Sequence, residues 1–408
     1  MLTVEEAQAR VLAQFGTLPA EEIALTRALG RILAEDTHAR EPLPAFANSA
    51  MDGYALRAAD TSAATPDFPI SLALAGEIPA GRVYAGRVGP GETVRILTGA
   101  PVPDGADAVI QQEVVEVEDG HVHLSAPVAI GNNVRAAGED VRPGMLLVPR
   151  GTELGPAELA LLAALGAHPV RVTRRPRVAI LGTGDELVAL GQTPGPGQIR
   201  DSNTVYLAAA VSRAGAEPVV LGIVPDRAEE LRAKLREAQG ADLVLTSGGV
   251  SVGDYDLVKQ ILAEQGDINF WRVRMRPGKP LAFGLLGKTP LLGLPGNPVS
   301  AAVTFELFGR TAIRTMLGAR HIQRPHVRAR LAGNAIERAD RRQYVRAQLS
   351  APDGELVAQP TGDQGSHIIS SLRGASCYLI VEIGEGTVEP GQLVPAMLLG
   401  DAMSWGAQ

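Results

Sequence analysis

Three strand-like runs between Arg177 and Asp256 each end in a turn rich in glycines, hydroxyls or carboxylates. Val178-Ala179-Ile180-Leu181 leads into Gly182-Thr183-Gly184-Asp185-Glu186, and residues 218–224 lead into Pro225-Asp226. Asp242-Leu243-Val244-Leu245 leads into Thr246-Ser247-Gly248-Gly249-Val250-Ser251-Val252-Gly253-Asp254-Tyr255-Asp256. A parallel α/β sheet binds ligands at the carboxyl ends of its strands. Glycines there let the backbone approach a ligand, and successive amides form an anion-binding nest. Asp185, Glu186, Asp226, Asp254 and Asp256 add oxygen donors of the kind Mg²⁺ takes alongside phosphate oxygens and water. The combination predicts a phosphorylated ligand with a divalent cation. Plainer roles stand beside this one. Pro225-Asp226 before a helix is also an ordinary N-cap, and one of Asp254 and Asp256 is expected to cap the helix that follows.

No Gly-Lys-Ser/Thr follows the second glycine-rich run, so it is not a Walker A loop. Gly182-Thr183-Gly184 lacks the third glycine of the dinucleotide fingerprint, so NAD is not supported. Arg272, Arg274, Arg276 and Lys279 form a basic cluster, and the turn Arg276-Pro277-Gly278-Lys279-Pro280 throws the last two cations to one side, toward an oxyanion. Arg272 and Arg274 are equally well explained as a solvated strand face. Pro295-Gly296-Asn297-Pro298-Val299-Ser300 lies between a buried strand and a long helix. It serves as a helix-start device and also aims first-turn amides outward.

The elements that must position these groups fall into four regions. Residues 3 to about 39 read as helical, with Thr3 and Glu6 as a capping box. From about 45 to 140 short Val/Ile/Leu runs separated by Gly and Pro turns predict a β-rich module. Residues 156–162 return to helix, so the β-module is expected as an insertion between two parts of one domain. From about 175 to 320 strands alternate with helices at 201–214, 227–237, 255–264 and 299–317, predicting a parallel sheet with helices on both faces. From about 325 short strands return (326–331, 343–349, 377–381) as a small barrel or sandwich. The domains are therefore expected at 1–44 with 141–174, at 45–140, at 175–320 and at 325–405.

The 408 residues are too many for one core. A net charge of −7 disfavours nucleic acid as a partner, and 4% aromatic residues argue against base-stacking platforms. Cys377 is the single cysteine, which excludes an intrachain disulfide and a dithiol pair. Neither a signal peptide nor a run of ~20 apolar residues is present, so a soluble cytoplasmic protein without membrane contact is expected.

Six motifs occur in order: Ser49-Ala50-Met51-Asp52-Gly53-Tyr54-Ala55, Leu97-Thr98-Gly99-Ala100-Pro101-Val102-Pro103, Gly182-Thr183-Gly184-Asp185-Glu186-Leu187, residues 246–254, residues 276–280 and Leu294-Pro295-Gly296-Asn297-Pro298-Val299-Ser300. Together they resemble the molybdopterin molybdenumtransferase family of the bacterial MoeA type. The resemblance implies an α/β three-layer molybdopterin-binding domain, an inserted β-rich domain, a split helical linking domain and a C-terminal β-barrel. It implies insertion of molybdate into adenylylated molybdopterin with Mg²⁺, releasing AMP, by a homodimer whose site is shared between subunits. A partner of the molybdopterin adenylyltransferase type is compatible with that role.

Carried over by motif, Asp52 and Thr98 reach across from the second subunit. Glu186, Asp226 and Asp256 line the crevice and hold the metal. Gly182, Thr183 and Gly184 lie beside them, and Ser247, Gly248 and Gly249 cradle phosphate. Lys279, Pro295, Pro298 and Ser300 form the molybdate side, and Gly296 and Asn297 of the same motif bind the cofactor. Arg341 and Ser366 resemble the barrel's contribution, and Arg135 matches a further loop. Arg276 departs from the lysine usual in the family, so a fork replaces a point charge. Two other readings compete: a molybdopterin adenylyltransferase, and a non-catalytic scaffold like the relatives that cluster receptors in animal synapses.

Overall fold

The computed structural model describes residues 1–79, 81–225, 227–249, 261, 264 and 266–400. The helix expected at 255–264 lies outside these, apart from Ile261 and Glu264. The N-terminal helix Val4–Leu12 is set by the Thr3–Glu6 capping box and buries Val4, Ala7 and Val11. The helical reading of residues 3–39 is corrected beyond Leu12. Ala20–Ile23 is a strand paired antiparallel with Val170–Thr173, and Thr37–His38 pairs with Leu146–Val148. Gly16 and Pro19 interrupt the helical period. The partners of Ala20–Ile23 lie about 150 residues downstream and those of Thr37–His38 about 110, which a local pattern does not reveal (Ala20 faces Thr173).

Between those ladders the chain makes a six-stranded sheet in the order Ala108–Gln111, Gly53–Leu56, Glu92–Ile96, Ile70–Ile78, His121–Leu124, Glu116–Glu118. Alternation divides its side chains. Tyr54, Leu56, Leu72, Val122 and Leu124 pack on one face, and Ala55, Ile78, Val94 and Ile96 on the other. Both faces are therefore covered.

The α/β part is a second six-stranded sheet in the order Glu217–Val224, Arg177–Thr183, Leu243–Ser247, Thr289–Leu294, Pro280–Leu286, Gly266–Arg272. The first four strands are parallel, and the last two add antiparallel, so the sheet is mixed. The hairpin turn at Gly287 and Lys288 makes that reversal. Helices do lie on both faces. Val178, Ile180, Leu243 and Leu245 face Leu207 and Val211 of helix Asn203–Arg213 and the helix beginning at Pro298. Ala179, Leu181 and Val244 face Leu231 and Leu235 of helix Ala228–Ala238. The two crossovers leave on opposite sides of Arg177–Thr183, so the topological switch point falls between Thr183 and Ser247.

The long helix near residues 299–317 contains a π-turn, Phe305–Gly309, between Pro298–Thr304 and Arg310–Met316. Past it, strands Arg342–Ser350, Val357–Pro360, His326–Leu331, Leu393–Leu398 and Cys377–Val381 pair in sequence. Cys377–Val381 then pairs back onto Arg342–Ser350, closing a five-stranded barrel around Ala329, Val345, Ala347, Leu379 and Ala396. Met275–Arg276 adds to it in parallel, with Arg276 opposite Gln343. Among the described residues no helix is long and apolar enough to cross a membrane.

Candidate functional site

The switch point is built by close backbone approach. Gly248 has φ +99°, its amide donates to the Leu294 carbonyl at 3.0 Å, and a Cβ there would stand 2.6 Å from the Thr183 carbonyl oxygen. Only glycine fits a strand end so crowded and so twisted. Gly249 follows at φ +67°. Gly182 is equally constrained: an added Cβ would meet Asp201 Oδ2 at 2.9 Å and Thr204 Oγ1 at 3.2 Å. Gly184, at φ +138°, lies under the Glu186 carboxylate, which an added Cβ would strike.

Helix Asn203–Arg213 supplies the bracket that joins these strand ends. Asp201 Oδ1 accepts from the Thr204 amide at 3.0 Å and starts the helix. Asn203 Nδ2 then donates to Ser247 Oγ at 2.8 Å and to the Gly296 carbonyl at 2.7 Å. The loop after Leu243–Ser247 and the Pro295-Gly296-Asn297-Pro298 turn are thereby held side by side. Thr183 Oγ1 lies 3.4 Å from the Ser247 carbonyl. The sequence places Asn203 only at the start of the helix expected over 201–214; its role depends on two partners distant in sequence.

The barrel reaches the same turn. Asn297 Nδ2 donates to Ser366 Oγ at 3.2 Å, and the Val299 amide donates to the Ser366 carbonyl at 3.1 Å. Arg341 places its Nε on the neighbouring Asp340 carboxylate at 3.1 Å. The arginine that shapes the Ser366 loop is instead Arg346, which is 1% exposed. Its guanidinium donates to Ser371 Oγ and to the Asp363 and Gly365 carbonyls at 3.0–3.2 Å. Burial pushes the Arg346 guanidinium below its ordinary pKa.

Arg276 and Lys279 lie on the far side of this junction. Gly278, at φ +94°, is pressed against Thr304 Oγ1 and the Ser300 carbonyl, which fixes the turn on the helix that carries buried Ser300. Arg276 is exposed and Lys279 half-buried. Arg276, Arg338, Gln343, Arg346, Gln364 and Gly365 line a cavity of about 930 Å³ between this turn and the barrel.

Asp52 and Thr98 meet on the separate sheet of residues 53–124. The Thr98 amide and hydroxyl both donate to Asp52 Oδ1 at 2.7 Å. Those two bonds, with Arg95 nearby, hold the Asp52 carboxyl below its ordinary range. Arg135 pairs with Asn48, next to Ser49, and its side chain is exposed. Glu186 is exposed at its strand end. Asp226, Asp254 and Asp256 lie outside the described residues. Among the described residues no group of three or more His, Cys, Asp or Glu side chains is placed to hold a metal.

Residues 2–166 match the family model of the MoeA N-terminal region (domain I and II), residues 179–315 that of a probable molybdopterin binding domain, and residues 328–399 that of the MoeA C-terminal region (domain IV). A molybdopterin molybdenumtransferase of Haemophilus influenzae is 38% identical over 97% of this chain and 98% of its own length. Molybdopterin molybdenumtransferase 2 of Mycobacterium tuberculosis is 40% identical over 95% and 98%. A solved structure of the molybdopterin biosynthesis MoeA protein from Pyrococcus horikoshii overlays with a TM-score of 0.83 at 32% identity, covering 98% of this chain and 100% of that one. With the switch-point loops, the barrel junction and these full-length likenesses together, the chain belongs to the molybdopterin molybdenumtransferase family.

Proposed function

We propose that this protein is a transferase that inserts molybdenum into molybdopterin, the step that forms molybdenum cofactor. Its substrates are then molybdate and adenylylated molybdopterin, and AMP is the leaving group. The observation that carries the reading is the Asn203 bracket, which sets a glycine-lined strand end beside a proline-fixed helix start. A phosphate seated at Ser247, Gly248 and Gly249 lies at the switch point, where such ligands are held by amides. Molybdate is a tetrahedral oxyanion, and the exposed Arg276 at the border of the barrel cavity offers it guanidinium donors. Lys279 and the hydroxyl of Ser300 belong to the same turn-and-helix unit.

Mg²⁺ takes hard oxygen donors, one or two of them from protein. The exposed Glu186 carboxylate at the strand end fits that requirement, with Asp226 and Asp256 as the further candidates. Bound there, the ion would neutralise charge on the phosphate oxygens as AMP departs. Around it the chain's own groups orient the ligand: Ser247 through Asn203, and the Pro295–Pro298 turn through Ser366. We further propose a cytoplasmic homodimer in which Asp52, Thr98 and Arg135 of one subunit face the strand-end loops of the other. Asp52 and Thr98 are both exposed and are held together by the two hydrogen bonds at the end of their own sheet, which supports this arrangement.

Purified protein incubated with adenylylated molybdopterin, molybdate and Mg²⁺ is expected to release AMP and to yield cofactor that reconstitutes a molybdenum-free apoenzyme. Absence of AMP release rejects the proposal. ATP consumption without molybdate would point instead to the adenylylation step. Light scattering on the same preparation is expected to return the mass of two chains, and a single-chain mass would remove the shared site.

A further inference from the structure

A second cavity, of about 230 Å³, lies away from all of these groups, where helix Asn203–Arg213 and the π-turn helix meet the barrel. It shares no lining residue with the cavity beside Arg276. Its polar wall is made by Tyr206, Arg213, Glu306, Arg310, Arg324 and Tyr378. The π-turn brings Glu306 and Arg310 onto this wall from deep inside the helix, at 8% and 9% exposure.

Glu306 Oε1 accepts from Arg324 Nε at 2.6 Å and lies 3.3 Å from Arg310 Nε. Arg310 also donates to the Ile322 carbonyl at 2.7 Å. One carboxylate therefore serves both Arg310 and Arg324, which leaves one positive charge inside the wall uncompensated, with the exposed Arg213 at its rim. Burying that excess is costly unless an anion joins it. The cost is visible in Arg310, whose pKa falls to about 10, first through burial and then through Arg324.

The phenols give the independent sign. Tyr378 is 1% exposed and Tyr206 half-buried. Buried tyrosine hydroxyls ordinarily find a partner. Both border this cavity. Burial pushes the Tyr206 phenol up to about 12, and Tyr378 is raised well above its ordinary value by the same cause. At neutral pH both are donors.

We propose that this cavity is a second oxyanion site, taking one tetrahedral anion of the phosphate, sulfate or molybdate type between the Arg310 and Arg324 guanidiniums and the Tyr206 and Tyr378 hydroxyls. Guanidinium forks match such oxygens in pairs. The volume admits the anion with a few waters, at about 30 Å³ each. A bound anion bridges helix Asn203–Arg213 to the barrel strand Cys377–Val381, and so ties together two parts that border the reaction site.

Crystals of the full-length protein soaked in tungstate test the placement. An anomalous peak within hydrogen-bonding distance of Tyr378 Oη and Arg324 is expected; anomalous density confined to the Arg276 cavity, or none, overturns the proposal. Equilibrium dialysis in solution tests the donors, with phosphate and with molybdate in separate arms. The Arg276→Ala protein is expected to retain one bound anion. Adding Tyr206→Phe and Tyr378→Phe to it is expected to weaken that binding at least tenfold, with the melting temperature in chloride showing that the variant is folded. Arg213→Gln, at an exposed position on the rim of the cavity, gives a second variant that is expected to melt like wild type and to weaken binding several-fold. Binding in only the molybdate arm assigns the site to the substrate ion, and binding in both assigns it to tetrahedral anions generally. Unchanged affinity in both variants refutes it.

Discussion

The Asn203 side-chain amide donates to Ser247 Oγ at 2.8 Å, linking positions 44 residues apart in sequence and on adjoining elements of the fold. The same nitrogen holds the Gly296 carbonyl, so one side chain sets the spacing between two strand-end loops. Asn203→Ala is expected to leave that carbonyl without its donor and to destabilise the fold by about 1–3 kcal/mol. Urea titration measures the loss. Affinity for adenylylated molybdopterin is expected to fall roughly tenfold, by about 1.4 kcal/mol. Wild-type affinity in a folded Asn203→Ala protein would show that the bracket does not position the ligand.

Two glycines near each other should respond differently. Gly248→Ala places a methyl 2.6 Å from the Thr183 carbonyl at a left-handed φ, and is expected to cost about 1–3 kcal/mol and most of the activity. At Gly296 the nearest atom to an added methyl is 3.7 Å away, and its φ is not in the left-handed region. Gly296→Ala is expected to melt close to wild type. Equal melting temperatures for the two variants would contradict the geometry.

Arg346 is a positioning residue for the loop that carries Ser366. Arg346→Met keeps much of the volume but removes the donors to Ser371, Asp363 and Gly365. A loss of about 2 kcal/mol is expected. Hydrogen exchange is expected to accelerate at residues 362–368 more than at strand Leu393–Leu398. Uniform acceleration over the whole barrel would indicate a general loss of packing instead.

Asp52 should titrate low. Its folded pKa is depressed, so the ionised form is favoured by folding. The stabilisation is full above the ordinary carboxylate range and is lost as pH falls through the depressed value. Carbon-13 titration is expected to place the Asp52 midpoint below 3.8. Thr98→Val removes the hydroxyl but keeps the backbone donor, and is expected to raise the midpoint part of the way. No change in Thr98→Val would remove the hydroxyl from the account.

Cys377 lies wholly inside the barrel, and burial pushes its thiol up to about 12. Little thiolate exists at neutral pH. Aromatic disulfide reagents are expected to label it only in denaturant, on the timescale of barrel unfolding. Prompt labelling of the native protein would mean that the barrel opens readily.

Much of this arrangement can be read from the chain because its signals are local. Runs such as 178–181 and 291–294 are apolar on every residue, as strands covered on both faces must be. The glycine turns behind them mark where backbone crowds at the strand ends. What escapes local reading is pairing at long range. The strand Ala20–Ile23 carries the adjacent carboxylates Glu21 and Glu22, which suit a helix surface equally well, and only its ladder to Val170–Thr173 makes it a strand. The antiparallel pair that ends the central sheet appears as a basic cluster and a turn, because the strand role of residues 266–272 is fixed by residues 280–286. Asn203 and Arg346 look like a helix start and a strand arginine. Their importance comes from carbonyls and hydroxyls that the fold delivers to them.

The short ladder of Met275–Arg276 on Arg342–Gln343 bears on how such chains can diverge. Because Arg276 borders the cavity while its backbone continues the barrel's sheet, this cation cannot change register without moving a β-strand in another part of the molecule. Swapping in a relative's barrel would therefore transplant half of that cavity's frame. A graft that respects the linker but shifts this two-residue seam should fold and still mis-set the arginine.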